Sequence, residues 1–154
     1  MKKINIILIA IITLTTNILL ADDTKLIKGM CKSAGTIYGY NCPTQMFSTA
    51  IKKGCKTIVT NKYGIATDFG DADPYDNKGE CYIFVGELFQ RLSKNMGFFN
   101  NGGSNDYIVG NLPKGRYSEG KQYVGIVMGV GMHKYKTTDG TFATVPVGKA
   151  MSMK

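Results

Sequence analysis

At 154 residues the chain is one domain by length, and 19 Lys+Arg against 11 Asp+Glu give it a formal charge of +8. These numbers exclude a multidomain enzyme, an acidic tail and a purely disordered chain; the 44% hydrophobic fraction is that of an ordinary globular protein. Glycine is the outlier, at 19 of 154 residues against a usual share of about 7%.

Residues 1–21 read MKKINIILIAIITLTTNILLA. Lys2 and Lys3 form a basic start, Ile4 to Leu20 is mostly apolar, and Ala21 is small and precedes Asp22-Asp23-Thr24. That order predicts a secretory signal peptide, leaving residues 22–154 as a single exported domain. The competing reading is a retained anchor, for which the apolar run of 17 residues is short. No later run approaches the roughly 18 apolar residues of a spanning helix, so no transmembrane segment is expected after cleavage. Two lysines leave with the segment, and the exported part carries 17 Lys+Arg against 11 Asp+Glu, a charge of +6. The Lys, Asn and Ile bias suggests a bacterial basic protein, secreted or periplasmic.

The four cysteines, Cys31, Cys42, Cys55 and Cys81, all lie in the exported part. In an oxidising compartment their even number predicts two disulfide bonds. Zinc would need ligands at C-x₂₋₄-C spacing, whereas these are 11, 13 and 26 residues apart.

A first short helix carries Leu26, Ile27, Met30 and Cys31 and ends at Gly35. A second begins after Asn41 or Cys42, takes Pro43 in its first turn, buries Met46, Phe47, Ala50 and Ile51, and stops at Gly54. Cys42 and Cys55 bracket it at about 20 Å, a distance that disfavours pairing 42–55 and with it 31–81. Lys56–Thr60 (KTIVT) has strand composition. Residues 68–80 form an acidic loop. Cys81, Phe84, Val85, Leu88, Phe89, Leu92 and Met96 recur at helical spacing and predict a third helix over 80–96, which Gly86 weakens; the alternative is that Cys81–Val85 is a strand. Asn100–Asn105 reads as a loop and Gly110–Gly120 as turns. Tyr123–Lys136 alternates, Asp139-Gly140 is a hairpin signal, and Thr141–Val147 returns as the partner strand, with Pro146 marking an edge. The fold class is therefore α+β: a helical, disulfide-stapled N-terminal half packed on a small antiparallel sheet from the C-terminal half.

In the strand 123–136 the even positions are apolar and assigned to the core. The odd positions include Gly125, Gly129 and Gly131, flanked by Tyr123, His133 and Tyr135. This glycine-rich strip has two readings. Either an aromatic ring or a helix lies over it or the strand bends sharply there to close a small barrel, or else it is the floor of a binding groove walled by Tyr123, His133 and Tyr135. His133 is the only histidine and has no companion motif; with an acidic residue of the 68–80 loop it would be the base of a small hydrolase. Asp71, Asp73 and Asp76 are candidate cation ligands, although EF-hand spacing is not met. No cofactor motif is present. Only two of the 19 cations are Arg, and the charge is dispersed, so nucleic acid is not an expected partner. The sign of the charge favours an anionic envelope component or an extracellular protein. The function expected is a non-enzymatic binding module for an envelope or extracellular partner, with an exported hydrolase and a secreted effector as alternatives.

Overall fold

The structure, a computed structural model, describes residues 23–37, 40–41, 44–73, 75–102, 106–113 and 117–153. The signal-peptide segment, Cys42 and Pro43 lie outside them. Helix α1 runs over residues 23–34 and helix α2 over Thr44–Lys52. A two-residue pair, β1 (Thr36–Ile37) and β2 (Tyr40–Asn41), joins them. Gly35 and Gly54 take the positive φ that stops each helix. Leu26, Ile27, Met30 and Cys31 of α1 pack together with Met46, Phe47, Ala50 and Ile51 of α2, as their spacing predicts.

The remainder is a closed barrel of five strands: β3 (Cys81–Ser93), β4 (Met96–Asn100), β5 (Asp106–Gly110), β6 (Gln122–Lys136) and β7 (Phe142–Met153), in the order β3-β4-β5-β7-β6. β3, β4 and β5 form a meander, and β6 returns to lie beside β3, which is a Greek-key path. A parallel pairing of β5 with β7 closes the barrel. The sheet comes from the second half of the chain, as expected, but it is a five-stranded mixed barrel rather than a small antiparallel sheet.

The helix expected over 80–96 is strand β3. Its odd residues Cys81, Ile83 and Val85 face the helices, while Tyr82, Phe84 and Leu88 line the barrel interior. A strand covered on both faces reads as one continuous apolar run, which periodicity alone does not separate from a buried helix. Gly86 belongs to this strand because the Tyr107 hydroxyl occupies the space of a Cβ there and donates to the Val85 carbonyl at 2.7 Å. Lys56–Thr60, expected as a strand, forms none; its one bridge is from Thr60 to Ala66.

Cys55 and Cys81 are bonded, with Cα atoms 5.9 Å apart, and staple the end of α2 to the first residue of β3. This bond belongs to only one of the three possible pairings, and not to the one the helix disfavours. Cys31 is disulfide-bonded as well.

The hairpin expected at Asp139-Gly140 joins β6 to β7, and the Asp139 carboxylate accepts from Thr137 and Thr141 to shape its turn. β6 is not one uniform strand. Its register with β7 slips between Gly129 and Gly131, a β-bulge. Before the slip β6 pairs with both β3 and β7; after it, residues 131–136 pair only with 142–147. β7 gains β5 as a neighbour only from Val147 onward, so Pro146 stands at a free edge. The distal hairpin is therefore a two-stranded arm that leaves the barrel. The even positions of β6 are accordingly not all core: Val124, Ile126 and Met128 pack toward the helices, whereas Val130 and Met132, past the barrel wall, are half exposed.

A buried side chain holds the bulge. Asn77 is fully buried; its amide nitrogen donates to the Gly131 carbonyl at 3.0 Å and its oxygen accepts from the Gly131 N–H at 2.8 Å. The amide thereby stands in for a neighbouring strand. A Cβ at Gly129 would overlap the Asn77 carbonyl, so only glycine lets the 77–80 loop approach.

Substituting Asn77→Ala leaves both Gly131 groups without their partner, a cost of about 2–3 kcal/mol. Urea unfolding of this variant should show that loss, while Lys78→Ala on the exposed neighbour stays within about 0.5 kcal/mol of the parent. Equal stability of the two variants would contradict the clamp.

Candidate binding groove

The barrel register builds a polar row across four strands. Asp106 on β5 pairs with Asn100 on β4, Asn100 pairs with Glu87 on β3, and Glu87 pairs with Gln122 on β6. Directly paired residues project from the same face, so the row lies on one side of the sheet. Phe98, two residues before Asn100, shares that face, while Phe99 points into the barrel. At Phe89 the β3–β4 register slips, and the ring is left 69% exposed beside Phe98. The centroids of these two rings are 6.5 Å apart.

Tyr135 completes the aromatic set from the arm. Its ring meets Phe98 edge-to-face at 5.8 Å. Burial, and after it the Asp106 charge, raises the Tyr135 phenol above its usual pKa, so it is a neutral hydrogen-bond donor at ordinary pH. The Asn100 amide donates to Asp106 at 2.8 Å and its oxygen accepts from the Gly102 N–H at 2.6 Å, which fixes the middle of the row.

Two open cavities follow this surface. One of about 420 Å³ is lined by Glu87, Phe89, Phe98, Asn100, Gly102, Asp106 and Gln122. The other, of about 670 Å³, shares Asp106 and runs between Tyr135, the arm segment Ala143–Pro146 and residues 70–73 with Tyr75. Among the described residues their lining contains the carboxylates Glu87, Asp106, Asp71 and Asp73 and no Lys or Arg. The chain is basic overall; this groove has the opposite sign.

The short 3₁₀ turn η1 (Phe69–Asp71), whose Gly70 and Asp71 line the second cavity, is capped by Asp68. One carboxylate oxygen accepts from the Gly70 N–H at 2.8 Å and the other from the Val85 N–H at 3.1 Å. Burial, opposed by these bonds and reinforced by the nearby Asp71, raises its pKa to about 6.

The residues singled out from sequence are dispersed by the fold. Tyr123 is buried in the barrel interior. A Cβ at Gly125 would overlap the Ser152 carbonyl, and one at Gly129 the Asn77 carbonyl, so the chain's own backbone lies over both. Gly131 sits in the bulge with a positive φ. His133 is exposed on the arm, opposite Val145. Of the strip, Tyr135 alone reaches the groove described above. Asp71 and Asp73 border the groove's second cavity, with Asp73 accepting from the Tyr75 N–H at 2.8 Å. They form no cluster with Asp76: no group of three or more His, Cys, Asp or Glu able to hold a metal occurs among the described residues. Phe89, Phe98, Asn100 and Asp106 were not among the candidates. The signal that marks them is the adjacent pair Phe98-Phe99, since neighbouring residues of a strand cannot both face one core.

No family model matches the chain, and comparison with curated proteins and with solved structures gave no match.

Asp68 gives a pH test. Its folded pKa lies above the ordinary carboxylate value, so its stabilising share is complete below about pH 4 and is lost as pH rises through about 6. Between pH 7 and pH 4 the parent should gain on the order of 2 kcal/mol relative to Asp68→Asn in chemical denaturation. A difference that does not change with pH would contradict the buried cap.

Proposed function

We propose that the chain is an exported, disulfide-stapled, non-enzymatic binding module for an envelope or extracellular partner, and that its ligand seat is the groove of Phe89, Phe98 and Tyr135. The carrying observation is that three aromatic rings from three strands converge on a polar row already ordered by the barrel's register. Rigid rings with a few fixed polar groups are the composition of a preformed binding site. Five-stranded Greek-key barrels of the oligonucleotide- and oligosaccharide-binding type use the face of their second and third strands, with the adjoining loops, for extended ligands. In this chain those strands are β4 and β5, and the β6–β7 arm borders them.

Export is supported by the signal-peptide pattern of residues 1–21 and by the Cys55–Cys81 bond, which persists in oxidising compartments. No helix among the described residues is long and apolar enough to cross a membrane.

The test is an NMR titration of the exported chain with short linear oligosaccharides. Shifts should concentrate at Phe89, Phe98, Asn100 and Tyr135, and Phe89→Ala should weaken binding at least about five-fold, the scale of one lost ring contact. Shifts confined to the α1–α2 side would contradict the assignment.

A further inference from the structure

We propose that the occupant of this groove is an oligosaccharide chain bearing amino groups, and not an anionic polymer; the proposal rests on the groove being the ligand seat. Three observations select this class. First, the charge is complementary to a cation. Glu87, Asp71, Asp73 and Asp106 line the two cavities with no Lys or Arg among the described lining residues, on a chain whose net charge is positive. A phosphate, sulfate or uronate chain laid here would place its charges against carboxylates, the reverse of the basic track that holds nucleic acid backbones.

Second, the rings suit both parts of such a ligand. Phe89 presents an exposed face for the apolar side of a sugar ring, and an ammonium group over an aromatic face is attracted by the ring's quadrupole. Third, the middle of the polar row offers no free sheet edge. Asn100 on β4 is flanked by β3 and β5, and Glu87 on β3 by β4 and β6. An extended peptide added to a sheet gains affinity from main-chain hydrogen bonds, and at the middle of the row those groups are taken; the free edge at residues 142–146 of β7 borders the second cavity only. A ligand lying over the row is held by side chains: the acceptors Glu87 and Asp106, the amides Asn100 and Gln122, and the rings. A chain of hydroxyls and amines fits that set.

The experiment compares three hexamers of similar length on the exported chain at pH 5.5 and low salt: a deacetylated glucosamine hexamer, its N-acetylated counterpart and a polyuronate. The expected order is the amine form tightest, by about five- to ten-fold over the acetylated form, with the polyuronate weakest. The amine preference should fall with added salt and disappear in Asp106→Asn, while binding of the acetylated hexamer is retained. Phe89→Ala should weaken both sugars. Equal affinity for the amine and acetylated forms, or tighter Phe89-dependent binding of the polyuronate, overturns the amine proposal and leaves the groove as ligand seat. Absence of any Phe89-dependent binding overturns the groove reading itself.

Discussion

The architecture turns on one local contact: the buried Asn77 amide paired with the backbone of Gly131. It lies where β6 stops being barrel wall and becomes a free arm. β6 runs for 15 residues, and only its first part, up to Met128, pairs with β3 in the barrel wall. The bulge at Gly129–Gly131 bends the strand but leaves backbone groups without ladder partners. Asn77 supplies the missing donor and acceptor from the acidic loop. Glycine at 129 is what admits that loop to contact distance. The loop's own position is held from its other end by the Asp68 cap and the Phe69 ring, which enters the barrel beside Tyr82 and Tyr107.

The consequences of this contact reach the groove. Because the arm leaves the barrel at Gly131, Tyr135 comes alongside Phe98 instead of continuing the wall. The groove is thus assembled from two kinds of part. The polar row comes from the rigid register of β3, β4, β5 and β6, and one of its aromatic walls comes from an arm held at its base. The described lining of the groove carries carboxylates on a chain whose net charge is positive, so the local sign of charge differs from the overall one.

Much of the fold is legible in the sequence, and the exceptions share a cause. α1 and α2 read well because an apolar stripe ends in glycine, and the β6–β7 hairpin because alternation meets an Asp-Gly turn. β3 does not, since helices cover one of its faces and the barrel interior the other, which erases the alternation a strand is recognised by. The glycine strip was legible as an anomaly, but its purpose depends on what approaches it: the backbone of 152–153 over Gly125 and the Asn77 loop over Gly129. Tyr135 is legible as a candidate, and it borders the groove. Phe89 is not, because an exposed aromatic on a strand bulge has the same spelling as a core position on a helix; Phe98 is not, because it falls between the expected helix and the following loop.

The most direct measurement is the ring-to-ring nuclear Overhauser effect between Tyr135 and Phe98, recorded in the parent and in Asn77→Ala at a temperature where both are folded. If the clamp sets the arm's course, the effect is strong in the parent and weak or lost in the variant, while effects within the barrel interior, such as Phe84 to Phe99, persist. An effect of equal strength in both proteins would show that the arm takes its position without Asn77, and its absence from the parent would show that the two rings do not form a common groove.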